Sequence, residues 1–235
     1  MTIGSFRWAR MMFIGLAITS LKAAPDQQPS PRLSYAIGVE ITKPLLKESI
    51  ALDKEAFLQG IYDSLSGQPL KMSAEEIHVE ISTYMDEIIQ RREREIRMVA
   101  EFNQEEGDKF LAVHRKEKGV VALPSGIQYK ILASSGLKKH PGPKDLVTTH
   151  YRGTLINGTE FDSSYNRGEP VQFSLEQVIP GWTEVLQLMS PGDKWQVVIP
   201  AELAFGRHAP STVIGPNKTL IFDIELIDYE ASQKA

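Results

Sequence analysis

The chain has 235 residues, enough for one large domain or two small ones, and its apolar (42%) and charged (24%) fractions are those of an ordinary globular protein. Its net charge of −4 is evenly spread: residues 26–118 carry 13 basic and 18 acidic side chains, residues 119–235 carry 10 and 12, so neither half has the basic footprint of a nucleic-acid binder. There is no cysteine, which excludes disulfides, thiolate nucleophiles, Cys-based metal sites and the lipid-attachment cysteine of a bacterial lipoprotein.

At the N-terminus, Arg7 and Arg10 precede the short apolar run "MMFIGLAITSL", followed by the small residues Ala23 and Ala24 and then Pro25. That layout predicts a secretory signal over residues 1–24. The run is too short to cross a bilayer comfortably, and Lys22 beside the expected cut keeps an uncleaved anchor open as the alternative. Residues 25–32, "PDQQPSPR", read as an extended lead-in.

Two short helices follow. Leu33, Ile37 and Ile41 recur every four residues, as do Phe57, Ile61 and Leu65. Asp53 is placed to cap the second helix and Gly67 to end it. Ser73 with Glu76 forms a capping-box pattern, after which no proline and only Gly107 interrupt a helical period that runs to about Lys118, with Gly119 as the expected C-terminal stop. A helix of about 45 residues is roughly 68 Å long. With the charged run "QRREREIR" at its middle, it cannot bury its whole length against one small domain, and reads as a connecting rod or part of a helical dimer.

Beyond Gly119 the period changes. "GIQYKILA", "DLVTTHYRGTLI", "KWQVVIP" and "TLIFDIELIDY" read as strands, with a hairpin tip at Asn157-Gly158. The intervening "NGTEFDSSYNRGEP" reads as turn, Asp and Ser of "FDSS" bonding to nearby amides. One short helix follows Pro180, with Trp182, Val185, Leu186 and Met189 on one face and Pro191-Gly192 ending it. An antiparallel sheet curled around that helix buries these faces economically.

Reactive chemistry is poorly represented. The five histidines show no ligand spacing and read as solvated, there is no G-x-S-x-G elbow, and "GPNK" and "SPGDK" lack phosphate-loop spacing. What remains is an apolar cluster: Phe161, Val171, Phe173, Val178, Ile179 and Trp182 in an otherwise polar stretch. Phe173 and the surroundings of Phe222 read as core. Trp182 beside Gly181, with the "AFG" and "VIGP" loops, reads as the wall of a concave site for a small ligand or peptide.

On the landmarks "YRGTL", "FDSS", "VIPGW", "LAFG" and "TLIFDIEL", in that order over about 110 residues, the C-terminal half resembles an FKBP-type peptidyl-prolyl cis–trans isomerase. Upstream, "LSYAIGVEI", "FLQGIYDSLSG", the long helix and "LPSGIQYKIL" resemble the macrophage infectivity potentiator group of exported bacterial FKBPs. The resemblance implies an α+β chain: an N-terminal helical dimerisation domain (25–72), a long connecting helix (73–118), and an FKBP-like antiparallel half-barrel wrapped around one short helix (119–235).

It further implies a pocket lined by Tyr151, Phe161, Asp162, Val178, Ile179, Trp182, Phe205, Ile214 and Phe222, with Val171 replacing the aromatic residue often found after the loop proline. Trp182 would lie under the proline ring, the Ile179 amide would receive a substrate carbonyl, and Arg167 would support Asp162. The family's "AYG" tyrosine is Phe205 here, and losing that hydroxyl costs about 0.5–1.5 kcal/mol of binding where it bonded a ligand.

No cofactor or metal is expected. Implied partners are proline-containing peptides, unfolded exported proteins, macrolide ligands and a second copy of the chain through the N-terminal helices, with no nucleic acid. The implied location is periplasmic, or outer-membrane-associated at the cell surface. A peptide-holding chaperone or host-interaction module, and a purely structural dimer, are the competing readings.

Overall fold

The structure is a computed structural model that describes residues 30–48 and 50–232; the expected signal over 1–24 and most of the Pro-rich lead-in lie outside the described residues. The chain divides into two compact units, Met1–Ser73 and Ala74–Ala235.

In the first unit, α1 (Pro31–Lys47) begins inside the segment expected to be extended. Ser30 caps it by accepting from the Arg32 N–H (3.2 Å), and Pro31 occupies the first turn, where its missing N–H costs nothing. α2 (Lys54–Ser66) is capped by Asp53, which accepts from the Ala56 N–H (2.8 Å), and stops at Gly67 in the left-handed region (φ 66°). Neither helix has a buried residue. Leu33, Ala36, Ile37, Ile41 and Pro44 line an open apolar groove on α1.

In the second unit, α3 (Ala74–His114) is 41 residues long, about 60 Å at the α-helical rise. It ends four residues before Lys118, the expected last helical residue. Gly119, at φ 86°, serves instead the turn before the first strand. The buried positions of α3 are Ala100, Asn103, Gly107, Leu111 and His114, a stripe confined to its last third. The stripe meets the sheet through Gln128, whose Nε2 donates to the Leu111 carbonyl (2.9 Å) while its Oε1 lies 2.8 Å from His114 Nδ1. An amide oxygen only accepts, so Nδ1 carries the proton. His114 is therefore a buried, bonded core residue rather than the solvated one expected.

The seven strands β1 (Val120–Ala122), β2 (Gln128–Ala133), β3 (Leu146–Leu155), β4 (Glu160–Ser163), β5 (Val171–Ser174), β6 (Lys194–Ile199) and β7 (Leu220–Glu230) form an antiparallel sheet. The order is β1-β2-β6-β7-β3-β4, with β5 also pairing β3. "FDS" is thus strand rather than turn: it completes a hairpin whose tip is closed by Leu155 N–H to Thr159 O (2.8 Å) and Gly158 N–H to Leu155 O (2.9 Å).

Alternation puts Val147, Thr149, Tyr151, Gly153 and Leu155 of β3, and Leu220, Phe222, Ile224 and Leu226 of β7, on the inner face. Against that face lies α4 (Pro180–Leu186), with Gly181, Trp182, Val185 and Leu186 buried. Gly181 allows the close approach, since a Cβ there would stand 2.5 Å from Ile199 Cγ2.

Gly107 sets the matching approach of α3 to β7. A Cβ at 107 would lie 2.2 Å from Thr219 Oγ1 and 3.1 Å from Thr219 Cβ, and Thr219 is buried and β-branched. In a free helix Gly→Ala stabilises by about 0.5–1 kcal/mol. Here Gly107→Ala is expected to destabilise by about 1–3 kcal/mol through overpacking. Urea unfolding monitored by tryptophan fluorescence checks this, and an increase in stability would refute the packing constraint.

Candidate active site

Trp182 enters the sheet's concave side from the first turn of α4. It is 4% exposed, and three aromatic rings meet it edge-on: Tyr151 (5.2 Å, 86°), Phe173 (5.5 Å, 82°) and Phe222 (5.3 Å, 84°). Phe161 extends the wall by meeting Phe222 edge-on (5.6 Å). Near-perpendicular contacts of this kind hold a ring through its neighbours' quadrupoles. Above the indole is an open cavity of about 240 Å³.

The cavity brings together Tyr151, Phe161, Asp162, Val178, Ile179, Trp182, Phe205 and Phe222, along with two residues not expected in its lining, Phe173 and Gln177. Phe173 had read as core; it is half-buried and lines the cavity because β5 pairs the inner end of β3, setting Phe173 opposite Val147. Two predicted lining residues lie elsewhere. Ile214 is buried in the hydrophobic core, and Val171, on the same face of β5 as Phe173, packs half-buried against that core beside the cavity. Arg167, after a 3₁₀ turn at Tyr165–Arg167, stays outside the lining.

Arg167 reaches the site through hydrogen bonds. Its Nη1 donates to Asp162 Oδ1 (2.6 Å), its Nη2 donates to the Tyr151 hydroxyl (2.8 Å), and its guanidinium lies 5.6 Å from the centre of the Tyr151 ring. The Tyr151 hydroxyl donates to Asp162 Oδ2. Burial alone would raise the Asp162 pKa, but the bonds from Tyr151 and Arg167 and the Ser163 backbone outweigh it and hold the carboxyl below its ordinary value. Burial, with the Asp162 bond next, pushes the Tyr151 hydroxyl up against the opposing effect of Arg167. At neutral pH the carboxylate is ionised and the phenol protonated, so this network offers substrate neither a ready acid nor a ready base.

Backbone geometry supplies a different polar group. Ile179 is the N-cap of α4, and its carbonyl accepts from Trp182 and Thr183 N–H. Its own N–H donates to no protein acceptor among the described residues. The Trp182 Nε1–H is buried and likewise has no protein partner among the described residues. Among the described residues no three His, Asp or Glu side chains are grouped to hold a metal ion.

Ser164 was missed as a positioning residue. Fully buried, its Oγ accepts from the Tyr151 N–H (2.8 Å) and lies 3.0 Å from His150 Nδ1, while the Ser164 N–H donates to the Tyr151 carbonyl (2.9 Å). The only signal was the second Ser of "FDSS", which had read as local turn chemistry. Its partners lie 13 and 14 residues away.

A carboxyl with a depressed native pKa adds stability above its unfolded pKa, and that stability is lost as pH falls through the native value. Tyr151→Phe removes one of the hydrogen bonds that depress Asp162, so its titration midpoint, followed by carboxyl-carbon NMR, is expected to rise. The acid limb of unfolding should move to higher pH with it. A midpoint equal to that of the parent protein would remove the hydroxyl from the network.

Comparison with known proteins agrees with this geometry. Residues 138–227 match the family described as FKBP-type peptidyl-prolyl cis-trans isomerase, and residues 30–131 match the domain amino terminal to it. The outer membrane protein MIP of Legionella longbeachae is 42% identical over 222 residues, covering 92% of this chain and 94% of that protein. The peptidyl-prolyl cis-trans isomerase Mip of Coxiella burnetii is 37% identical over 215 residues, covering 92% and 93%. The crystal structure of FkpA from Escherichia coli superposes with a TM-score of 0.64 at 35% identity, covering 87% of this chain and 98% of that one. The chain belongs to the FKBP-type peptidyl-prolyl cis–trans isomerases, enzymes that rotate the peptide bond preceding proline.

Proposed function

We propose that catalysis is non-covalent and that the cavity above Trp182 is where the proline ring binds. The observation that carries this reading is an open cavity lined by Trp182 and five further aromatic side chains, beside a carboxylate already satisfied by two donors.

An X-Pro amide is kept planar by resonance, with a barrier of roughly 18–20 kcal/mol. The planar form is more dipolar than the twisted one, so water stabilises it more. A dry enclosure of Phe161, Trp182 and Phe205 therefore favours the twist, and the Ile179 N–H is free to hold a substrate carbonyl as it turns. A 10⁴-fold acceleration needs only about 5.5 kcal/mol. In this reading Tyr151 and Asp162 shape the wall, Arg167 holds them, and Val178 and Phe222 complete the apolar enclosure. Val171 and Ile214 support it from behind.

The natural substrates we infer are unfolded proteins outside the cytoplasm. Supporting this are the basic-then-apolar leader over residues 1–24 and the likeness to an outer membrane protein of Legionella. Among the described residues no helix is long and apolar enough to cross a membrane. Residues 25–72 are proposed as a dimerisation domain, because α1 and α2 leave Leu33, Ile37, Ile41, Leu58 and Leu65 exposed, a cost a second copy would remove. The 73–118 segment would connect that domain to the isomerase domain at 119–235. Two linked sites would hold one client at raised effective concentration.

Trp182→Leu is expected to lower kcat/KM for a proline tetrapeptide about 10- to 100-fold, a loss of about 1.4–2.7 kcal/mol. An isomerisation assay at the parent rate would end this reading of the cavity. Phe205→Tyr, restoring the family's hydroxyl, is expected to lower KM about two- to tenfold if that group meets substrate. The double substitution Ile37→Asp with Ile41→Asp should reduce the light-scattering mass from two chains to one while leaving tetrapeptide turnover intact. A parent protein that is already monomeric would refute the dimer.

A further inference from the structure

The segment between Phe205 and β7 has no regular secondary structure, and residues 207–213 are exposed. Yet it begins at a wall of the cavity, so what holds it also places Phe205. Gly206 N–H donates to the Ala201 carbonyl (2.8 Å), and Asn217 N–H donates to the Gly206 carbonyl (2.7 Å), pinning the two ends of the loop together next to Phe205. Asn217 accepts a left-handed backbone (φ 53°) to do this.

The returning end is gripped by α3. Asn103, buried at 4% exposure, donates from Nδ2 to the Pro216 carbonyl at 2.7 Å. One turn on, Glu106 pairs with Lys218 (3.2 Å), and Gly107 lies flush against Thr219. Three positions of one helix face thus hold residues 216, 218 and 219. Upstream of Asn103 the fit ends: a cavity of about 460 Å³ separates Ile96, Arg97 and Ala100 from Arg207, Pro216 and Asn217. The loop therefore has room to shift on that side once the Asn103 bond is released.

We propose that Asn103 is a positioning residue of the isomerase. Through Pro216, Asn217 and Gly206 it fixes the loop that sets Phe205 against the substrate. The long helix then contributes to substrate binding without touching substrate. This inference rests on the reading of Phe205 as a wall of the proline site.

Asn103→Ala removes the donor, and Asn103→Asp keeps the shape but faces the Pro216 carbonyl with a carboxylate. Each is expected to raise KM for a proline tetrapeptide about five- to tenfold, the scale of one lost hydrogen bond, with kcat changed less than about twofold. The N103D carboxyl, buried and opposite a carbonyl, has its pKa raised, and when protonated it can donate where the amide did. Its KM should therefore fall back toward the parent value between pH 8 and 5, while that of N103A does not.

Leu111→Ala loosens the same helix at a point away from the loop. It should lower the melting temperature and leave KM alone. If N103A and N103D melt lower but keep the parent KM, Asn103 serves only helix docking and the proposal is overturned. If they do not fold, Glu106→Gln is the milder release; it should raise KM about twofold, and an unchanged KM overturns the proposal equally. Phe205→Ala separates the two readings. A raised KM there without one in N103A sinks the positioning role alone, whereas an unchanged KM in both sinks the wall as well.

Discussion

An indole packed rigidly among aromatic neighbours at the edge of an open cavity is the constraint on which the second unit depends. Packing comes from α4. Pro180 starts it, Gly181 lets it sink against Ile199, and Thr183 Oγ1 donates to the Leu175 carbonyl (2.8 Å) to tie it to the chain leaving β5. Tyr151, Phe173 and Phe222 stand nearly perpendicular to the indole and line the same cavity. Fully burying one large apolar side chain is worth about 1.5–3 kcal/mol, so exposing part of an aromatic lining gives up stability that the fully buried cluster of Val185, Leu186, Met189 and Val197 must offset.

The polar part of the site follows from the same requirement. A lone carboxylate at the rim would draw water into an enclosure that works by excluding it. Asp162 is instead engaged by Tyr151 and Arg167, which come from β3 and from the turn after β4. The triad therefore joins two neighbouring chain segments as well as quieting a charge. Ser164 does the same from the other side, bonding both backbone groups of Tyr151 and fixing the residue whose ring supports the indole.

Much of this was legible in the residues. Asp53 and Gly67 mark helix ends because capping is local chemistry. Asn157-Gly158 marks the hairpin for the same reason. Tyr151, Trp182 and Phe222 were grouped by the family resemblance, and one cavity brings them together. What was misread depends on pairing between distant segments. "FDSS" carries turn-forming residues, yet tertiary pairing with β3 makes it strand and sends the serine hydroxyl to a distant amide. Phe173 and Ile214 exchanged roles because both are apolar residues near loops, and only the register of β5 and the course of the 206–218 loop decide which one reaches the cavity. His114 looked solvated until Gln128, on another element, supplied its partner.

The long helix shows most plainly how local and distant effects divide. Its hydrophobic period is continuous in sequence, but its burial is not. Met98 (69% exposed) and Phe102 (65%) lie among residues that look like core, while the buried stripe contains an asparagine and a glycine. A purely apolar stripe would attach the helix but could slide, because dispersion contacts have little direction. Asn103 and Gly107 add direction: one needs a specific carbonyl, and the other leaves space for one threonine. Fixing the axial position of α3 at these points fixes the end of the loop bearing Phe205, so a residue pair unsuited to strong apolar burial gains its value from geometry.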